Sequence, residues 1–336
     1  MTTIKEIAQI AGVSRSTVSR VINHDPNVSD NTREKVQTII DEMGYQPNPV
    51  ARSLISGRTH VIGLVIPMAV SSLFADPFFG LISQGISSTC TANNYTLMLW
   101  LVEPNYEKRA NANILNNRLI DGIIVSSNVI NDPLIEGLIA RNVPLLQIGR
   151  NDCPTVSSVD ADNIHGAIIA VQHLVKIGRQ QLATVTGPMN QYSARDRLSG
   201  FERALKEHSL EFSEVQIAYG NFTEESGYEQ TKALLGRTKF NGMFIASDMM
   251  AFGAIQAIQE AGFRIPEDIA VISFDDIPAA ARHKPALTTI RQPINQLGAI
   301  AAQTLIDQLE NDSNASPRRI ILPTELILRE TTPKLG

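Results

Sequence analysis

Along the first 44 residues, apolar positions return every three or four residues. Ile4, Ile7, Ala8 and Ala11 form one set, Val18, Val21 and Ile22 a second, and Val36, Ile39, Ile40 and Met43 a third. That spacing puts each set on one face of a helix and predicts three short helices. Gly12 separates the first two; Ser29 is placed to cap the third and Gly44 to end it. Prolines at 47 and 49 then disfavour helix just before them. The following stretch, VARSLISG (50–57), is too short to hold a helix by itself.

From residue 61 the pattern changes. Short, continuously apolar runs alternate with amphipathic helical stretches: VIGLVIP (61–67), TLMLWLV (96–102), DGIIVSS (121–127), VPLLQIG (143–149), LATVTG (182–187), VQIAYG (215–220), GMFIASD (242–248) and IAVISFD (269–275). Strands that are apolar throughout are buried on both faces, so this predicts parallel sheets covered by helices. The pattern repeats in two comparable halves that meet near SSVDADN (157–163), which favours two lobes over one large sheet. ENDSNASP (310–317) reads as a polar surface loop.

Composition narrows the class. At 336 residues with 43% hydrophobic content the chain is long enough for two or three folded units with sizeable cores. The net charge of −5 resides in the α/β part, while the first 60 residues are close to neutral. Two cysteines, Cys90 and Cys153, provide neither a disulfide framework nor a metal cluster. The start, MTTIKEIAQIAG, does not read as a signal peptide, and no apolar run approaches the ~18 residues of a membrane span. A cytoplasmic protein is the expectation.

The first helix pair carries the chemistry. Ala8 and Gly12 suit a tight helix–helix turn, and Val18 and Val21 can bury against the first helix. Arg15, Ser16, Ser19 and Arg20 are then left outward, which is helix-turn-helix spacing. In such a pair the second helix enters the major groove, where arginine can bind guanine in bidentate fashion. Ser14 and Thr17, at the helix start, suit phosphate. An ordinary helical hairpin with a solvated polar face would show the same spacing.

TIKEIAQIAGVSRSTVSRVIN, followed by VSDNTREKV, GYQPNPVARSL, GLVIP, DPFF, VISFDD and LTTIRQP, resembles the LacI/GalR family of bacterial transcriptional repressors over residues 2 to about 330. The resemblance implies a small all-α helix-turn-helix headpiece (1–46) and a hinge (47–59, with a hinge helix over about 49–57). It also implies a periplasmic-binding-protein-like α/β core of two Rossmann-like lobes (60–336). The first lobe would take about 60–160 and 290–322, the second about 161–289 and 323–336. It makes Arg15, Ser16 and Arg20 base readers, with Asn23 in the same DNA-facing set. Leu54 becomes a wedge in a minor-groove step, in a segment that folds on DNA, and Arg52 a phosphate contact.

Ligands of open α/β sheets bind at the carboxyl ends of strands, where Ser126, Ser247, Asp248, Asp275 and Asp276 fall. Asp248, just before a helix, also suits a plain N-cap. SARDRLSGF (193–201) puts Arg195 and Arg197 near a helix start, a place the dipole does not favour for a cation. The family resemblance selects Arg197, and Asp275 in SFDD, as facing ligand groups across the two lobes. That pair suits a polyhydroxylated effector. It also places Phe78, Phe79 and Phe222 at cleft positions, where their rings could stack on a sugar or base face. Asp160 fits either a ligand acceptor or a turn residue, Phe79 either cleft or core, and Gln191 and Ser193 are minor contacts. His165 and His173 have no companions for a metal site.

Rival classes fare worse. An enzyme is disfavoured because no nucleophile elbow, P-loop, dinucleotide fingerprint or zinc-protease motif is present, so no catalytic residue, cofactor or metal is assigned. A sugar-binding transport protein shares the core pattern but not the headpiece. The expectation is a homodimeric repressor of a pseudo-palindromic operator, controlled by a small metabolite. A sugar or sugar derivative ranks first and a purine or nucleoside second, since the purine-binding branch has arginine where Gln191 stands. The C-terminus has no leucine heptads, which favours a dimer over a tetramer.

Overall fold

The computed structural model describes all residues except 1–2, 23–24, 46–57, 67–72, 74–75, 102–113, 115–118, 128, 212, 312–315 and 334–336. Two compact units result, Met1–His60 and Val61–Gly336.

In the first unit, α1 (Ile4–Ala11) begins with a reciprocal cap. The Glu6 backbone N–H donates to Thr3 Oγ1 at 3.3 Å and the Thr3 N–H to the Glu6 carboxylate at 2.8 Å. Gly12 ends it at φ 67°, a conformation that favours glycine. Ser14 then opens α2 (Arg15–Ile22), its hydroxyl accepting from the Thr17 N–H at 3.1 Å. Ile7, Ala8, Ala11, Val18 and Val21 bury against Val36, Ile39 and Ile40 of α3 (Asp30–Glu42). Arg33 ties the connection down by donating to the Asp25 carbonyl at 2.8 Å.

The second unit holds two six-stranded sheets. The first runs β11-β5-β4-β3-β1-β2, built from β1 (Val61–Ile66), β2 (Thr96–Leu101), β3 (Gly122–Ser126), β4 (Leu145–Ile148), β5 (Ser157–Ala161) and β11 (Arg319–Leu322), all parallel. The second runs β12-β10-β9-β8-β6-β7, from β6 (Leu182–Thr186), β7 (Ile217–Tyr219), β8 (Gly242–Ile245), β9 (Ala270–Asp275), β10 (Thr289–Arg291) and β12 (Glu325–Ile327). Only β12 is antiparallel to its neighbour.

Alternate strand residues feed the two faces of each sheet. Ile62, Leu64, Ile66 and Ile124 bury in one core cluster and Ile123 and Val125 in another. Val185, Ile245 and Val271 likewise separate from Leu182, Phe244 and Ile272. Each such buried side chain contributes roughly 1.5–3 kcal/mol.

Helices α4 (Pro77–Ala92) and α10 (Ile294–Glu310) pack together on the first lobe. They cross so closely that a Cβ on Gly85 would lie 2.0 Å from the Asn295 carbonyl oxygen, and one on Gly298 2.3 Å from that of Ile82. The second lobe repeats the device between α8 (Glu224–Arg237) and α9 (Asp248–Glu260), through Gly227 and Gly253. Its other face carries α6 (Asn163–Lys176) and α7 (Tyr192–Glu207). The short α5 (Pro133–Ala140) completes the first lobe.

SSVDA is a buried strand, β5, held between β4 and β11, and it ends where the two halves meet, just before α6. The second passage to the first lobe comes after β10, which pairs with β9 at Thr289–Arg291, so it begins with α10 rather than at residue 290.

Candidate functional site

In the first unit, the exposed side of α2 presents Arg15, Ser16 and Arg20, with Ser14 at its start and Thr17 half-buried. The Ser14 hydroxyl lies 2.6 Å from that of Ser16 and 2.8 Å from that of Thr17, a compact hydroxyl cluster at the helix N-terminus. Arg20 reaches toward Asp25, its Nε 3.7 Å from a carboxylate oxygen. Asn23, Arg52 and Leu54 lie outside the described residues.

In the second unit, the polar centre lies at the carboxyl ends of the second sheet. Arg197, 5% exposed, projects from α7. Its Nε donates to Asn163 Oδ1 at 2.9 Å, and its Nη1 donates to the Ala246 carbonyl and lies 3.4 Å from Asp275 Oδ1. The guanidinium sits 3.8 Å above the Phe274 ring. Gln292 donates to the same oxygen of Asp275. Asp275 and Asp276 both have positive φ, 122° and 58°, so the chain turns sharply as β9 ends. Arg291 and Arg329 hold the Asp276 carboxylate at 2.7 and 2.6 Å and fix that turn.

Burial dominates the electrostatics. It pushes the Asp275 carboxyl well above the ordinary range against the pull of Arg197, and draws the guanidinium down while Asp275, Asp160, Asp248 and Asp196 push it up. Asp76, at the N-cap of α4 in the first lobe, also senses Arg197, and burial raises its pKa too. Arg197 and Asp275 thus do not face each other across the lobes, as expected from the sequence. Both belong to the second lobe, and the first-lobe acids that sense them are Asp160, which acts on Arg197, and Asp76, which acts on Asp275.

The remaining candidates divide. Phe222, at φ 68°, lays its ring against Gly187 at the end of β6, where an added Cβ would lie 2.1 Å from the ring. Phe78 and Phe79 meet edge to face at 5.2 Å in the first turn of α4, half-buried against the core. Ser247 caps α9 by accepting from the Met250 N–H at 3.2 Å, and Ser193 is buried in the first turn of α7. Asp248, the first residue of α9, is not the cap. Its carboxylate accepts from Ser273, Thr289 and the Ile277 N–H, bracing the ends of β9 and β10.

Asp160, on β5, accepts from the Ala161 N–H at 2.8 Å and from Asn163 Nδ2 at 3.2 Å. Burial lifts its pKa to about 6. Asn163 therefore links Asp160 to Arg197. The sequence reading missed Asn163, Gln292, Asp76 and Arg150. Arg150, after β4, crosses between lobes to Asp196 of α7 at 2.7 Å and lies 5.2 Å over the Tyr192 ring. Tyr192 in turn donates to Asp152 at 2.9 Å.

Residues 3–48 match the model of bacterial regulatory proteins of the lacI family, and residues 171–332 that of a periplasmic binding protein-like domain. The transcriptional regulator CelR of Thermobifida fusca is 35% identical over 98% of both chains. The chain belongs to the LacI family. It is a DNA-binding transcriptional regulator, as the LacI-family headpiece and two-lobed core together require. The ribose operon repressor of Halalkalibacterium halodurans is 34% identical over 99% of this chain and 97% of its own. Among solved structures, a lac repressor dimer bound to operator and an anti-inducer superposes with TM-score 0.84 at 31% identity, covering 98% of this chain and 99% of that one. A CelR–cellobiose complex gives 0.78 at 34% identity, covering 98% and 100%. Among the described residues, no helix is long and apolar enough to cross a membrane and no cluster could hold a metal ion.

Proposed function

We propose that this LacI-family regulator is a cytoplasmic, homodimeric repressor whose operator affinity is set by a sugar or sugar derivative bound between its lobes. The observation that carries this is the buried polar cluster of Arg197, Asp275, Gln292 and Asn163 at the strand ends of the second lobe. A guanidinium beside a carboxylate offers paired donors and acceptors, which suits neighbouring hydroxyls of a sugar ring. Phe222, Phe78 and Phe79 supply aromatic faces for its apolar side. Ser193, Ser247, Asp160 and Asp76 extend the polar set.

On the headpiece, Arg15, Ser16 and Arg20 read base edges, Ser14 and Thr17 hold phosphate, and Asn23 completes the set. Arg52 and Leu54 act from the hinge as phosphate contact and minor-groove wedge. A two-fold dimer places two such headpieces on a pseudo-palindromic site. A relative solved as a complex with cellobiose and another named a ribose operon repressor support a sugar effector. The core serves as a sensor and not as an enzyme.

The test is a calorimetric titration of the full-length protein with cellobiose, ribose and a panel of other sugars, followed by operator binding with each ligand that binds. A sugar that binds saturably and changes operator affinity is the expected result. Binding only by purine bases would overturn the sugar assignment, and a sugar that binds without changing operator affinity would overturn the coupling.

A further inference from the structure

The first lobe grips the start of α7 through both backbone and side chains. In the loop after β3, the Ile130 N–H donates to the Asn190 carbonyl at 2.9 Å, and Val129 pairs with Gln191 as an antiparallel bridge. After β4, Arg150 donates to Asp196 at 2.7 Å, and Asp152 accepts from the Tyr192 hydroxyl at 2.9 Å. These two contacts are joined into a ring. Arg150 Nε lies 3.5 Å from Asp152, and the guanidinium stands 5.2 Å from the centre of the Tyr192 ring.

Tyr192 and Asp196 are one turn apart on α7, so both reach the first lobe from one face of the helix. Arg197, the next residue, turns instead into the buried cluster with Asn163 and Asp275. The helix that carries the arginine is thus the one the first lobe holds. The Arg150 and Asp152 side chains are 46% and 64% exposed, so water screens their pairing and each contact is weak alone. A polar contact of this kind between lobes can open, where a large apolar interface would not.

We infer that Arg150, Asp152, Tyr192 and Asp196 form a charge clasp that fixes the spacing of the lobes and thereby positions α7 and its arginine for the effector. These are positioning residues, and none of the four needs to touch the ligand. The clasp sets the fraction of molecules whose cleft has the binding spacing, and apparent affinity scales with that fraction. In the clasped arrangement Asp76 of the first lobe is close enough to Arg197 to feel its charge, so both lobes address one ligand position. The positioning role rests on the effector reading; the clasp itself does not.

Hydrogen exchange of the full-length protein separates the two. The Ile130 amide, whose bond crosses between the lobes, reports opening. Asp196→Ala and Arg150→Gln should each speed its exchange severalfold and leave the amides of Ile124 and Val185, in the lobe cores, unchanged. The double variant should exchange no faster than Arg150→Gln alone, because the pair is already broken. Arg150→Lys, which keeps the charge, should retain most of the protection. Raising salt from about 0.05 to about 0.5 M should speed Ile130 in the wild type and far less in Asp196→Ala. Calorimetric titration with cellobiose, ribose and the other sugars of the panel should show severalfold weaker binding by Asp196→Ala. An Ile130 amide that keeps its wild-type rate in both single variants overturns the clasp. Faster exchange with undiminished sugar affinity overturns its positioning role. If the wild type binds no sugar of the panel, the effector reading falls and the positioning role with it, while the exchange rates still decide the clasp.

Discussion

Arg197 Nη1 lies 3.4 Å from Asp275 Oδ1, and both residues belong to the same lobe. Their side chains are only 6% and 11% exposed, so neither charge is solvated by bulk water. A pair of this kind stabilises little while intact and costs much when broken, because the survivor is left buried and uncompensated. Arg197→Ala is therefore expected to lose about 3–5 kcal/mol of stability. Asp275→Asn, which keeps its shape and an acceptor for Gln292, should lose less. Effector affinity in Asp275→Asn should fall by roughly tenfold to a hundredfold, the worth of one charged hydrogen bond. Urea melts and calorimetric titration check the two parts, and an Asp275→Asn protein with undiminished affinity would remove Asp275 from the site.

Arg20→Ala is expected to weaken operator binding by ~1–3 kcal/mol and to relax the preference at one base pair per half-site. Arg20 is shared with Asp25 at 3.7 Å, so Asp25→Asn should free it and tighten binding modestly. Fluorescence anisotropy with operator variants decides. Equal loss on specific and random duplexes would make Arg20 a phosphate contact instead.

Leu54→Ala should reduce DNA bending and operator affinity while leaving the melting temperature and effector binding unchanged. Gel phasing measures the bend. An unchanged bend with a lowered melting temperature would place Leu54 in the protein's own packing.

Asp160 gives a pH signature. Its ordinary value is 3.8 and burial lifts it to about 6, so the folded chain holds this proton more tightly than the unfolded one. The stability it contributes is fully present below about pH 4 and is lost as pH rises through about 6. Asp160→Asn should flatten that slope and unfold at higher urea than wild type at neutral pH. Parallel slopes in the two proteins would assign the pH dependence elsewhere.

What the sequence made legible follows from how local each determinant is. The headpiece helices were readable because Ile7, Val18 and Val36 recur at helical spacing, although Ser29, at the N-cap position of α3, pairs with the Thr32 hydroxyl and makes no cap bond. Most core strands were readable because each is apolar throughout. SSVDA was not, since its burial comes from β4 and from β11, more than 150 residues away. Arg197 and Asp275 were found through motif resemblance, but their shared lobe was not. Asn163 and Gln292 carry no local mark of their roles, which arise only when α6 and the end of β10 meet α7 and β9. Asp248 read as a cap because it opens a helix; the hydroxyls of Ser273 and Thr289, distant in sequence, claim it.

The order of strands also sets a timetable for synthesis. The first lobe starts at Val61, yet its sheet gains β11 only at Arg319–Leu322, and the face of α4 that presents Gly85 waits for α10. Once β10 has been made, the second lobe still lacks its edge strand β12 and the following segment, in which Arg329 holds Asp276 and Thr331 bonds Thr288 and Val271. A nascent chain that has reached Pro293 thus carries a second lobe still short of that C-terminal segment. Beside it the first lobe has an open β5 edge and an uncovered apolar helix, the kind of surface that aggregates or recruits a chaperone. The lobe that emerges first from the ribosome waits for β11 to complete its sheet, and a chain cut between α10 and β11 leaves that sheet open at β5.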